Sequence, residues 1–175
     1  MTRWVALLRG VNVNGITVKS AELAELFRQL GFEVVKTVLA SGNVLFEAAD
    51  DVAGQALKAR IEKGLGERFG YEAWIVLVDH ETMRRVVQAY PFEEVEQAHP
   101  YVVFGSDDTV LAEITDAAAN LDPDGVERAR PGDAVVYWEC PKGSSTDTPF
   151  SKLLARARFK SSTTTRNLRT LRRLL

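Results

Sequence analysis

Apolar positions recur along this chain in two rhythms, one of about 3.6 residues and one of two, and together they predict a repeating order of elements. Trp4 to Leu8 is apolar without a break. So short a run suits a strand covered on both faces and central in its sheet. It stops at Arg9 and enters a loop, Gly10 to Gly15, that carries Asn12 and Asn14 between its glycines. Ser20 is placed to cap a helix whose Leu23, Leu26, Phe27 and Leu30 share one face, and Gly31 is placed to stop it. Phe32 to Leu39, with Val34, Val35 and Val38, predicts a strand that turns through Ala40-Ser41-Gly42-Asn43 into a second strand, Val44 to Ala48. Asp50 or Asp51 is placed to cap a second helix along Leu57, Ile61, Leu65 and Phe69, and Ala73 to Val78 predicts the next strand.

Asp79 then opens a short helix through Met83, Val86, Val87 and Tyr90, Pro91 ends it, and the acidic PFEEVEQAHP segment reads as a surface connection. Beyond it the order starts again. Tyr101 to Phe104 predicts a strand, Thr109 to Ala119 a helix, and Val126 to Ala129 and Ala134 to Trp138 two strands joined by Arg130-Pro131-Gly132-Asp133. Thr148 before Pro149 starts a helix with Phe150, Leu153, Leu154 and Ala157 inward. Ser161 to Thr165 predicts a short strand, and Leu168, Leu171, Leu174 and Leu175 line a last helix. The fold class expected is therefore α+β: two ferredoxin-like (βαββαβ) halves in tandem with an additional C-terminal helix. Residues 1–79 form the N-terminal half, 80–99 a connecting helix and acidic linker, and 100–175 the C-terminal half with a basic tail.

Composition changes this picture at three points. The 175 residues are 46% hydrophobic and 26% charged, ordinary for a globular protein, and no apolar run approaches the roughly 18 residues of a membrane span. The N-terminus has no signal-peptide pattern, so the cytoplasm is the expected location. Cys140 is the sole cysteine and only His80 and His99 stand beside it as soft ligands, so neither a disulfide nor a metal site is expected, and the thiol reads as buried and inert. The net charge of −2 conceals a segregation: residues 1–141 carry 13 basic and 23 acidic side chains, a balance of −10, whereas residues 142–175 carry 9 basic side chains against Asp147, a balance of +8. Such a tail implies an anionic partner or an acidic face of the same molecule.

Three stretches are candidates for chemistry. The loop after Arg9 offers backbone N–H groups and a fork-shaped cation, which suits an anion. Gly10 and Gly15 have phosphate-loop spacing, but Ile16-Thr17 stand where that loop needs lysine and a hydroxyl, and the dinucleotide pattern GxGxxG is absent. The loop is otherwise a structural turn, with its asparagines bonded to their own backbone and Arg9 in an ion pair. Ser41, Gly42 and Asn43 present a hydroxyl and an amide on a turn, with no histidine nearby in sequence to activate the serine. In the tail, Lys142, Lys152, Arg156, Arg158, Lys160, Arg166, Arg169, Arg172 and Arg173 accompany the hydroxyl-rich Thr164-Thr165-Arg166-Asn167. These donors suit phosphate oxygens, and equally they are the basic helix ends that keep a terminus in solution. The paired acids Asp50-Asp51, Glu93-Glu94 and Asp107-Asp108 read as caps and solvated faces. Trp4 and Phe46 match the aromatic pattern of an RNA-recognition sheet poorly.

LLRGVNVNG near the N-terminus, the helix ending in LGF, the SGNVLF turn, Ser151-Lys152-Leu153 and the near-terminal TTRN with Thr170 three residues on occur here in order. Together they resemble a bacterial family known as domain of unknown function 1697. The resemblance implies a two-part α/β protein with ferredoxin-like halves and brings no activity, cofactor or catalytic residue. Asn14-Gly15 stands where the family has a glycine pair, and Leu168 where it usually has tryptophan.

Three functions follow as expectations. The first is a binding module for a phosphate-bearing ligand, nucleic acid or nucleotide, held by the Arg9 loop and the basic C-terminal segment, with Arg9, Gly10, Asn12, Gly15, Ser41, Gly42, Asn43, Lys152, Thr164, Thr165, Arg166 and Asn167 as candidate contacts. The second is an enzyme acting on a small anionic substrate in a cleft between the halves. The third is an assembly protein, a homodimer that pairs through its sheet edges or faces. No cofactor and no membrane partner are expected.

Overall fold

The computed structural model describes residues 1–9, 17–38 and 42–175. The chain forms two compact units, Met1–Arg84 with Arg173–Leu175, and Arg85–Arg172.

In the first unit the elements are β1 (Thr2–Arg9), α1 (Ser20–Gln29), β2 (Glu33–Val38), β3 (Asn43–Ala48), α2 (Gly54–Phe69) and β4 (Trp74–Asp79), with α3 (His80–Gln88) following. The strands pair antiparallel in the order β2-β3-β1-β4. This is the ferredoxin-like arrangement, with β1 central as its unbroken apolar run predicts. Trp4, Ala6 and Leu8 of β1 point to the helix side, where Phe27 and Phe32, Val44 and Phe46, and Leu57, Ile61 and Leu65 complete the core. The alternate residues Val5 and Leu7 point the other way and are just as fully buried. Buried on both faces, β1 cannot move without disturbing either, and so it holds Arg9 at a fixed place at its end.

The second unit repeats the order: β5 (Ala98–Gly105), α4 (Asp108–Ala119), β6 (Arg128–Pro131), β7 (Val135–Pro141), α5 (Pro149–Leu154), α6 (Ala157–Lys160), β8 (Thr163–Asn167) and α7 (Leu168–Arg172). Its sheet runs β6-β7-β5-β8, the same topology. Val103, Val136 and Trp138 pack against Val110 and Ile114 of α4 and Phe150 of α5. Thr148 caps α5 by accepting from the Ser151 N–H, with Pro149 at its first turn, as that pair of residues predicts. Asp107 likewise caps α4 by accepting from the Val110 N–H.

Several local expectations are corrected. Asp50 does not cap α2, which starts at Gly54; its carboxylate instead accepts from the Met1 ammonium at 2.8 Å and the Thr2 hydroxyl at 2.7 Å. Ser20 is the first helical residue of α1 rather than its cap. Val34 is not a core position: the pairing of β2 with β3 slips between Glu33 and Lys36, and Val34 sits in the slip with φ +50°, 62% exposed. Val126 lies outside β6 and is exposed, while the Gly132 N–H closes the hairpin onto Val135 at 2.9 Å. Helix α5 ends before Ala155, so Ala157 opens α6 and is exposed. Leu168, Leu171 and Leu174 are buried as predicted, but Leu175 is not.

Candidate functional site

Arg9 ends β1, and the antiparallel register sets what surrounds it. Its cross-strand partner is Trp74, the first residue of β4, while Leu7, two residues earlier on the same face, stands opposite Asn43 of β3. The turn before β3 is tied to β1 by the Leu8 N–H, which donates to the Gly42 carbonyl at 2.8 Å. Gly42 has φ +82°, a conformation glycine adopts without strain. Asn43 is fully buried, and its Nδ2 donates to the Val38 carbonyl at 2.8 Å, closing the turn from within. Gly42 and Asn43 thus lie beside β1 near Arg9, as the first candidate set requires, but their backbone and side-chain groups shape the turn. Gly10, Asn12, Gly15 and Ser41 lie outside the described residues.

The Arg9 guanidinium differs from three other arginines of the first unit. Arg3 pairs with Glu47, Arg68 with Glu25 and Arg84 with Glu81. Among the described residues Arg9 has no such ion pair, and its Nε is buried without a hydrogen-bond partner. Burial alone pushes its pKa below the usual arginine value. A buried unpaired guanidinium N–H destabilises a fold by roughly 1–3 kcal/mol or more, so this donor is one that an added acceptor would stabilise.

The second candidate set lies in the second unit, on the edge strand β8. Thr164 and Arg166 share the face of Val102 and Phe104, whereas Thr165 and Asn167 share the face of Val103 and Tyr101. Arg166 is buried and folds back along its own strand, with Nη1 donating to the Thr164 hydroxyl at 2.5 Å and to the Thr165 carbonyl at 3.2 Å. Asn167 accepts from the Arg169 N–H at 2.9 Å and so starts α7. Lys152 is exposed on α5. Of the other basic residues in the tail, Arg158 makes a forked pair with Glu113, its Nε 2.6 Å from Oε2, and Arg172 makes another with Glu94, its Nη1 2.8 Å from Oε1. Part of the +8 segment is therefore neutralised by acids of its own unit. Lys142, Arg156, Lys160, Arg169 and Arg173 are exposed. Cys140 is buried inside β7, and burial pushes its thiol up to about 11, which leaves it unreactive near neutrality.

The family described as Protein of unknown function (DUF1697) matches residues 1–137, from β1 into β7. The chain belongs to that family. Among curated proteins none matches it. A solved structure of a conserved bacterial protein from Streptococcus pneumoniae is similar over 99% of this chain and 96% of its own, with a TM-score of 0.80 and 22% sequence identity. At that identity the likeness shows the shared fold. In this DUF1697 chain Leu168, which follows the TTRN segment, is fully buried. Among the described residues no group of three His, Cys, Asp or Glu could hold a metal ion, and no helix is long and apolar enough to cross a membrane.

Chemically, the Arg9 end of β1 can bind and orient an anion. Arginine stays protonated even when its pKa is depressed, and its planar fork matches two oxygens of a phosphate or carboxylate. The buried Nε supplies one donor of that fork.

Proposed function

We propose that this protein is a binding module for a phosphate-bearing ligand held by Arg9, with the exposed basic side chains of residues 142–175 adding general attraction for anions. The observation that carries this reading is the buried, unpartnered Nε of Arg9 at the end of a strand buried on both faces. A bound phosphate would satisfy that donor and offset the desolvation of the charge. A small ligand fits better than a strand of RNA laid across an open sheet. The sheet faces that an RNA-recognition module leaves bare are apolar and buried here, at Val5, Leu7 and Leu45 in one unit and Val102, Phe104 and Tyr137 in the other. Trp4 and Phe46 point to the helix side and are not presented for stacking.

The test is calorimetric titration of the full chain with inorganic pyrophosphate, for wild type and Arg9→Met. The variant is expected to lose at least tenfold in affinity while becoming more stable to urea, because it removes an uncompensated charge. Equal binding by Arg9→Met, or a loss of stability in it, overturns the assignment.

A further inference from the structure

The register that pairs Arg9 with Trp74 places the two side chains on the same face of the first sheet, as cross-strand neighbours. Both are half-buried, at the end of a face whose centre, Val5 and Leu7, is closed. Trp74 is set apart by this from the other two tryptophans. Trp4 packs on the helix-side core of its unit, and Trp138 is 3% exposed, with its Nε1 bonded to Glu127. A large aromatic at the first position of an edge strand, partly open and across from a cation that has no ion pair among the described residues, is the pairing that a planar heterocycle carrying a phosphate recognises: the ring stacks while the anion takes the fork.

Resting on the anion-binding reading above, we infer that the ligand is a mononucleotide, its phosphate on Arg9 and its base against Trp74. The same chemistry occurs in single-stranded nucleic acid, but successive bases need successive platforms. Next to Arg9 and Trp74 on this face come Leu7 and Val76, and then Val5 and Val78, all aliphatic, with Leu7 and Val5 fully buried. One base is accommodated and a track of bases is not.

The experiment measures four probes on the full chain by calorimetry and tryptophan fluorescence: inorganic pyrophosphate, nucleoside monophosphates and diphosphates, uncharged nucleosides, and a single-stranded oligonucleotide at several salt concentrations. Wild type is expected to bind a nucleoside diphosphate about tenfold or more tighter than pyrophosphate, with quenching of its fluorescence. Trp74→Leu is expected to bring the nucleotide down to the pyrophosphate level and leave pyrophosphate unchanged, and Trp74→Phe to restore part of the difference. Equal affinity for nucleotide and pyrophosphate in wild type, or an unaltered preference in Trp74→Leu, overturns the nucleotide assignment while leaving Arg9 as an anion site. Failure of every anion to bind overturns both. An oligonucleotide that binds more tightly than the mononucleotide, with a steep salt dependence, overturns the mononucleotide in favour of nucleic acid.

Discussion

Glu127 shows how far a single residue can depart from its sequence context. It stands in the sequence Asp122-Pro123-Asp124-Gly125-Val126-Glu127-Arg128, rich in charged and polar residues, and glutamates are rarely fully buried. In the fold it is 4% exposed, and its two oxygens accept from the Trp138 Nε1 at 2.8 Å and from the Phe150 N–H at 3.0 Å. It therefore ties β7 to the first turn of α5 and supplies the acceptors that a buried indole and a helix N-terminus both require. Glu127→Ala leaves two buried donors without partners and is expected to lower stability by about 2–4 kcal/mol, seen as a drop in the urea midpoint. A loss below about 1 kcal/mol would mean that water replaces the carboxylate. Arg9 is the converse case. The sequence marks it as the polar stop to an apolar run, whereas its lack of an ion pair among the described residues, and the indole opposite it, depend on β3 and β4 arriving beside β1.

At the scale of elements, the strands and long helices follow from periodicity, and the departures cluster where chain geometry competes with it. Strand β2 lies at the edge of its sheet, and its slip at Val34 interrupts the ladder. Irregularity of that kind protects an edge from pairing with another copy. The β-branched side chain at φ +50° is strained by about 1–2 kcal/mol and, at 62% exposure, gains little from burial. Val34→Asn, which tolerates that conformation, is expected to raise stability by about 1 kcal/mol, checked by the same urea titration. A decrease would show that the valine side chain contributes more by contact than it loses by strain. The end of α5 was not legible for a related reason. The inward pattern Phe150, Leu153, Leu154, Ala157 continues across Ala155 and Arg156, but the Arg156 backbone is extended there, and the next turn begins afresh at Ala157.

For the whole molecule, the segregation of charge is a property of the sequence, and its resolution is a property of the fold. The basic C-terminal segment implied either an anionic partner or an acidic face of its own chain, and Glu94 and Glu113 supply part of the latter through Arg172 and Arg158. The hydrogen bonds from these arginines hold both carboxyls below the ordinary glutamate value. A carboxylate with a depressed folded pKa adds stability above its unfolded value and loses it as pH falls through the folded one. Stability of the second unit is therefore expected to decline as pH drops below about 4.5, with less than about 1 kcal/mol from the part-exposed Glu94 pair. Glu94→Gln should make the decline shallower in urea titrations between pH 3 and 6. An unchanged slope would show that the pair is fully screened.

The sequence by itself determined the order of elements, the two ferredoxin-like halves and the family, because periodicity, caps and ordered motifs are local and survive without knowledge of distant partners. It also located the end of β1 as a place where an apolar strand gives way to a polar group. Only the tertiary structure decided which polar groups are satisfied. Asn43, Arg166 and Asn167 bond to backbone or side chains within a few residues of themselves, and Arg158 and Arg172 are taken up by distant acids. Arg9 comes to rest beside Trp74 with a buried N–H unmet. Hydrogen bonding and burial are sums over neighbours from all parts of the chain, and the β1–β4 register that makes residues 9 and 74 neighbours is set by the packing of the whole sheet.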